Sequence, residues 1–148
     1  MKLKIMPPAF LFMSLMLSIV SHFAFPIRDI IYPPYTYLGV LAIGAGVVLN
    51  IWADNRFKKK RIPIQPYDNP IQLDTSGPFR ISRHPMYLGM FLILLGASVI
   101  TGSLITFIFP FIFLFLVNRI FVSFEERNLE RIFGEEYLAY KKKVRRWI

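Results

Sequence analysis

The sequence predicts an all-α integral membrane protein of about four transmembrane helices, with a C-terminal helical hairpin and a cytosolic amphipathic tail. Three observations predict it. Hydrophobic residues fill 55% of 148 positions and the mean hydropathy is +0.47, more than a soluble core of this size needs. The apolar residues gather in four runs, at about 6–25, 35–53, 86–101 and 103–122, close to the ~20 residues a helix needs to cross a ~30 Å hydrocarbon core. The 18 Lys and Arg against 9 Asp and Glu, a net charge of +9, flank these runs, which favours a membrane surface over nucleic acid as partner. The chain has no cysteine, so disulfides, thiolate metal sites and Cys nucleophiles are excluded.

Each element follows from local composition. Lys2 and Lys4 precede the first run; a signal peptide would look similar, but Ser21-His22-Phe23-Ala24-Phe25 offers no small-x-small cleavage site, and the run reads as an anchor. In the second run Gly39, Ala42, Gly46 and Asn50 share one helical face, the small-residue stripe that lets membrane helices approach closely. Asn50 either ends that seam or touches a ligand. The segment 54–85 contains Arg56-Phe57-Lys58-Lys59-Lys60-Arg61, an orientation signal that also attracts anionic headgroups. Pro63, Pro66, Pro70 and Pro78 then argue against regular helix and for an extended lid along the membrane face. Thr101-Gly102-Ser103 is too short for anything but a tight hairpin between the third and fourth helices, and Pro110 should kink the fourth. In the tail, 123–148, Leu129, Ile132, Phe133, Tyr137 and Tyr140 recur at helical intervals, with Gly134 as a break between two amphipathic helices.

Four crossings put the groups before the first span, in 53–85 and in 119–148 on one side, with 17 of the 18 basic residues. By the positive-inside rule that side, with both termini, is cytoplasmic. The whole of 1–148 is then one membrane domain, in the cell membrane if the source is prokaryotic. Oligomeric state leaves no trace in the sequence.

Polar chemistry clusters at the mouth of the hairpin. Pro85 suits the first position of a helix, which makes His84 its N-cap. The amides of Met86 and Tyr87 then face the interface and attract a carboxylate or phosphate, with Arg83 and His84 adding donors and charge. As single residues, Arg, His and Tyr also serve as ordinary interfacial anchors. Glu125 and Glu126 end the fourth run, where ionised carboxylates are costly unless paired or hydrated; Arg80, Arg83, Arg127 and Arg131 could pair with them in a surface network. The hairpin brings the helix start and the two glutamates to one face. An anion site beside a cation site is what a zwitterion requires, and the amino-acid end of S-adenosylmethionine is one. Phe79 and Tyr87 could hold its adenine or face its sulfonium by cation–π attraction.

The run Gly77-Pro78-Phe79-Arg80 through Arg83-His84-Pro85-Met86-Tyr87-Leu88-Gly89, then Glu125-Glu126, then Phe133-Gly134-Glu135-Glu136-Tyr137 and Tyr140, resembles the isoprenylcysteine carboxyl methyltransferase and phospholipid methyltransferase superfamily over about residues 35–148. The resemblance implies a membrane methyltransferase that binds S-adenosylmethionine on the cytosolic side, with the preceding loop folded over it. It assigns His84, Pro85, Met86, Tyr87 and Glu125 to the cofactor, together with Ile71, Gln72, Leu73 and Asp74 and the aromatic at Phe79. That aromatic is commonly tyrosine in relatives. Some relatives carry an arginine where this chain has Phe121, so substrate identity does not transfer. Arg80 or Arg119 could serve a carboxylate substrate, and Glu126 either assists or pairs with an arginine.

The expected reaction is in-line transfer of the sulfonium methyl to an amphipathic, lipid-like or prenylcysteine-like acceptor entering from the bilayer, without a metal. His84 could act as base if the nucleophile is an amine. Two other classes stay in view. An NADPH-dependent membrane reductase would share a related C-terminal architecture but should show a glycine-rich phosphate loop, absent here. A non-catalytic adaptor of the same fold would bind neither cofactor.

Overall fold

The computed structural model describes residues 6–25, 29–63 and 70–148; Lys2, Lys4 and Pro66, used above for topology and the lid, lie outside them. α1 (Pro7–Ala24) opens at a proline, whose missing N–H and fixed φ suit a first turn, and buries Leu11, Ser14 and Ser18 on one stripe. A short 3₁₀ turn at Tyr35–Tyr37 leads into α2 (Leu38–Lys60). α3 (Pro85–Thr101) and α4 (Ile108–Val117) form the expected tight hairpin through a 3₁₀ turn at Leu104–Phe107. Buried hydroxyls lock that turn: Ser98 Oγ donates to the Thr106 carbonyl at 2.8 Å. α5 (Ser123–Phe133) and α6 (Glu135–Lys143) follow, and 144–148 continue beyond them. Among the described residues there is no strand, only an isolated bridge between Asp29 and Ser103.

Three helical stretches, Pro7–Ala24, Tyr35–Lys60 and Leu104–Phe133, are long and apolar enough to cross a membrane. α3 is apolar but only 17 residues long, about 25 Å at 1.5 Å per residue. Large apolar side chains such as Phe12, Leu41, Val48, Phe111 and Phe115 face outward, as a lipid-facing belt requires.

The small-residue stripe does what its spacing implies. α2 and α3 run antiparallel with Gly39 against Gly96 and Gly46 against Gly89; a Cβ on Gly46 would lie 2.5 Å from the Gly89 carbonyl oxygen, so the backbones meet where no side chain fits. Asn50 belongs to this seam: its amide donates to the Gly46 carbonyl at 3.1 Å and abuts Gly89.

Three expectations need correction. The second helix does not stop near 53 but continues to Lys60, because Arg and Lys propagate a helix well and Asp54 pairs with Lys58 one turn on at 2.6 Å. The basic run is therefore helix surface, not loop. Pro110 sits in the first turn of α4, where a missing N–H costs little; the irregularity inside the long helix is a π-turn at Asn118–Val122. The fourth helix also does not end there but runs on as α5, so Glu125 and Glu126 lie in the first turn of a continuing helix. The break at Gly134 is as expected: φ is +49°, in the region that favours glycine.

Two apolar cores result. Leu11, Tyr87, Met90, Leu94, Phe113, Val117, Phe121 and Val122 join α1, α3 and α4. Ala53, Phe79, Tyr137 and Tyr140 join the end of α2, the 3₁₀ turn Gly77–Arg80 and α6. The tail pair thus packs on the segment before α3, with the Tyr140 hydroxyl donating to the Phe79 carbonyl at 2.6 Å.

Candidate functional site

The start of α1, the end of α2, the start of α3 and the α5–α6 pair converge on a cavity of about 200 Å³. Its apolar wall includes Met6, Pro7, Pro8, Met86, Met90 and Leu129; its polar wall includes Asp74, Arg83, His84, Tyr87, Glu125 and Tyr137. Four helix ends therefore meet at one face of the bundle, which a four-crossing topology requires.

His84 N-caps α3 by position, with Pro85 at N1 as its sequence implies. Its backbone N–H donates to Ser82 Oγ at 3.1 Å. The imidazole is not turned outward to an anion. It lies between the glutamates, Nδ1 3.3 Å from Glu125 and Nε2 3.4 Å from Glu126. Burial alone would push its pKa down, but the hydrogen bonds and charges of Glu125 and Glu126 outweigh that and raise it. The two carboxylates thus favour the protonated imidazole, which can donate to both. Tyr87, one turn into α3, donates to Glu125 Oε1 at 2.5 Å and stacks on His84 with ring centroids 5.8 Å apart.

The adjacent glutamates differ. Glu125 lines the cavity with its side chain 22% exposed. Glu126 is buried beside it and held by Arg83 at 2.8 Å and by Arg146 through two bonds, 2.5 Å to Oε2 and 3.1 Å to Oε1. The π-turn contributes to this: one extra residue in a helix rotates all that follows by about 100°, and Asn118 inside the turn accepts from Arg146 at 3.2 Å.

Beside the end of α2, Asp74 is clasped by Arg56 at 3.2 Å and Lys60 at 2.8 Å. Its neighbour Ser76 donates its N–H and its hydroxyl to the same carboxylate and also bonds Arg56. Burial alone would raise the Asp74 pKa; the donors win and hold it well below the usual carboxylate range. Phe79 is buried and stacked on Phe57 at 5.1 Å. Two donors on the cavity wall, Arg83 Nε and the Tyr137 hydroxyl, are buried without a partner among the described residues. Burial, then the charge of Glu126, pushes the Tyr137 pKa up, so the phenol keeps its proton.

The structure thus brings Gln72, Leu73, Asp74, Phe79, Arg83, His84, Pro85, Met86, Tyr87 and Glu125 to one cavity. It leaves out others. Ile71 is 73% exposed and points away. Arg80 is exposed, and Arg119 lies over the Phe115 ring, 5.5 Å from its centroid, on the outer surface; neither reaches the cavity. Asn50 stays in the α2–α3 seam. Sequence reasoning missed Arg56 and Lys60 as a clasp, although cations four apart on one helix share a face, and it missed Arg146, for which the basic tail carried no distinguishing sign.

Fold and site together define a helical membrane protein with a two-signed polar wall inside an apolar cavity at one membrane face. The chain belongs to the phospholipid methyltransferase family, which matches residues 34–136, and that membership supports methyltransferase chemistry at a membrane. An uncharacterised protein of Haemophilus influenzae is 41% identical over 63 residues, 43% of this chain and all of that protein. A protein-S-isoprenylcysteine O-methyltransferase of Schizosaccharomyces pombe is 33% identical over 75 residues, 49% of this chain and only 30% of that enzyme. No solved structure matches.

Proposed function

We propose that this protein transfers a methyl group from S-adenosylmethionine to an amphipathic, lipid-like acceptor at the membrane face. The observation that carries the reading is the donor set of the cavity. Two buried donors without a partner among the described residues, Arg83 Nε and the Tyr137 hydroxyl, suit a carboxylate, and Glu125 in the same lining suits an ammonium. A polar cavity wall with orphaned donors is costly unless a ligand completes it. S-adenosylmethionine fits, because its amino-acid end carries both charges, and it supplies a methyl already activated on a sulfonium.

This assignment changes the roles expected from sequence. Arg83 and Tyr137, not His84, would hold the carboxylate. Glu125 would hold the ammonium, oriented by Tyr87 and His84. The Phe57–Phe79 stack, with Gln72 and Leu73, supplies the flat apolar surface an adenine needs. Asp74 would act by pinning this wall to α2 through Arg56 and Lys60. His84, holding its proton between two carboxylates, is a poor base and a good anchor. Acceleration then rests on alignment and on excluding water from an apolar enclosure.

Met6, Pro7, Pro8 and Met90 extend the cavity along α1 and α3, an apolar path for an acceptor's hydrocarbon part. The cytosolic orientation of this face rests on the basic residues of α2's end and the tail. Binding of S-adenosylmethionine to detergent-solubilised protein tests the reading. Glu125→Gln and Tyr137→Phe should each weaken affinity by about tenfold, and His84→Ala at least as much. Unchanged affinity in the first two would remove the proposed donor set.

A further inference from the structure

The segment after α6 does more than end the fold. Val144 is extended and packs on the Phe79–Tyr137–Tyr140 core, while Trp147 packs on the core of α1, α3 and α4 with its ring 6.3 Å from that of His84. Between them the backbone runs along the turn before α3: the Arg145 carbonyl accepts from the Arg83 N–H at 3.2 Å and the Arg146 carbonyl from Ser82 Oγ at 3.0 Å. Ser82 Oγ in turn accepts from the His84 N–H, so a two-bond relay links Arg146 to the His84 backbone. The Arg146 guanidinium simultaneously holds both oxygens of Glu126, the partner of His84 Nε2. These residues lie beyond the family match, which ends at 136.

We infer that the segment Val144–Trp147 is a positioning strap for the candidate site, with Arg146 as the positioning residue that sets Glu126 and, through it, His84. His84 is faced by Glu125 and Glu126 of α5, Tyr87 of α3, Arg83 of its own segment and the strap's Arg146 and Trp147. Arg83 alone reaches one oxygen of Glu126; the bidentate grip needs Arg146. When that grip is lost, Glu126 can turn from His84, and His84 loses one of the two carboxylates that favour its protonated form.

The sign of one measurement separates positioning from mere proximity. The chain has two histidines, so full-length protein labelled with ¹³C-histidine in lipid nanodiscs gives two titrating signals, and His22→Asn assigns them. In Arg146→Gln the His84 midpoint should fall, because Glu126 is released; removal of a neighbouring cation that positions nothing would make it rise. In a Glu126→Gln background the same substitution should cause no further fall. Arg146→Lys, which keeps the charge and loses the bidentate geometry, should give a smaller fall and serves if the glutamine variant does not fold. A risen or unchanged midpoint overturns the inference.

The affinity arm rests on the cofactor reading above. Arg146→Gln should weaken S-adenosylmethionine binding about fivefold, with partial recovery in Arg146→Lys. If the wild-type protein binds no S-adenosylmethionine, the cofactor reading fails while the titration still judges the strap. If the wild type binds and Arg146→Gln binds equally well, the strap is overturned alone.

Discussion

Asp74 and Glu126 are both buried carboxylates gripped by two cations, but their partners reach them over different stretches of chain. Asp74 takes Arg56 and Lys60, two residues four apart on one helix, and so ties a single loop to a single neighbour. Glu126 takes Arg83, 43 residues before it, and Arg146, 20 residues after it, with His84 as a third contact. The first is a local latch; the second is a junction of three segments. Exposure sharpens the contrast. Arg56 and Lys60 keep 28% and 32% of their side chains in solvent and Arg146 keeps 36%, whereas Arg83 keeps 7%. A cation that can turn to water forgives the loss of its partner, and one that cannot does not.

The largest expected effect is therefore from Glu126→Gln, which leaves Arg83 buried and uncompensated: about 3–5 kcal/mol of stability, read by thermal unfolding in detergent. Asp74→Asn should cost less, about 1–3 kcal/mol, with the loss concentrated in the 71–80 segment and visible as faster hydrogen exchange there. Equal losses would erase the distinction between latch and junction.

The pH dependence separates the two clusters by sign. The raised His84 pKa contributes stability that is complete below about pH 6.5 and is lost as pH climbs through the folded-state value. The lowered Asp74 pKa contributes stability that is present above about pH 3.9 and is lost as pH falls through the folded-state value. Wild-type melting temperatures should peak between those limits, with the alkaline decline reduced in His84→Asn and the acid decline reduced in Asp74→Asn. The smallest effects belong to Arg80→Gln and Arg119→Gln, each within about 0.5 kcal/mol and without change in ligand affinity, since neither side chain reaches the cavity. A large effect at either would show that the cavity wall extends further.

Much of this architecture could be read from residue patterns. The Gly39–Gly46 stripe foretold its own seam because interhelical distance depends on side-chain size at fixed spacing, and His84-Pro85 foretold a helix start because proline is confined to few positions in a helix. That Tyr87 and Glu125 share one face followed from hairpin topology; that they bond each other did not. What stayed hidden depended on phase and on long-range choice. The π-turn at Asn118–Val122 has no composition signature, yet it contributes to the facing of both glutamates. Glu126 had four upstream or neighbouring arginines to choose from by sequence, and its second partner came from a tail residue, Arg146, because only the fold decides which cation arrives with two donors aligned.

The glycine seam has a mechanical consequence. Helices that meet backbone to backbone, with Ile43, Ile93 and Ile100 packed over the glycines, leave no gap to open between them, so α2 and α3 act as one closely packed plate. Both the Asp74 latch, hung from α2, and the His84–Tyr87 wall, carried by α3, are mounted on that plate. Any widening of the cavity to admit a bulky guest must then come from the remaining walls, the start of α1 at Met6–Pro8 or the α5–α6 pair, and guests arriving from lipid should leave their imprint on the mobility of those elements first.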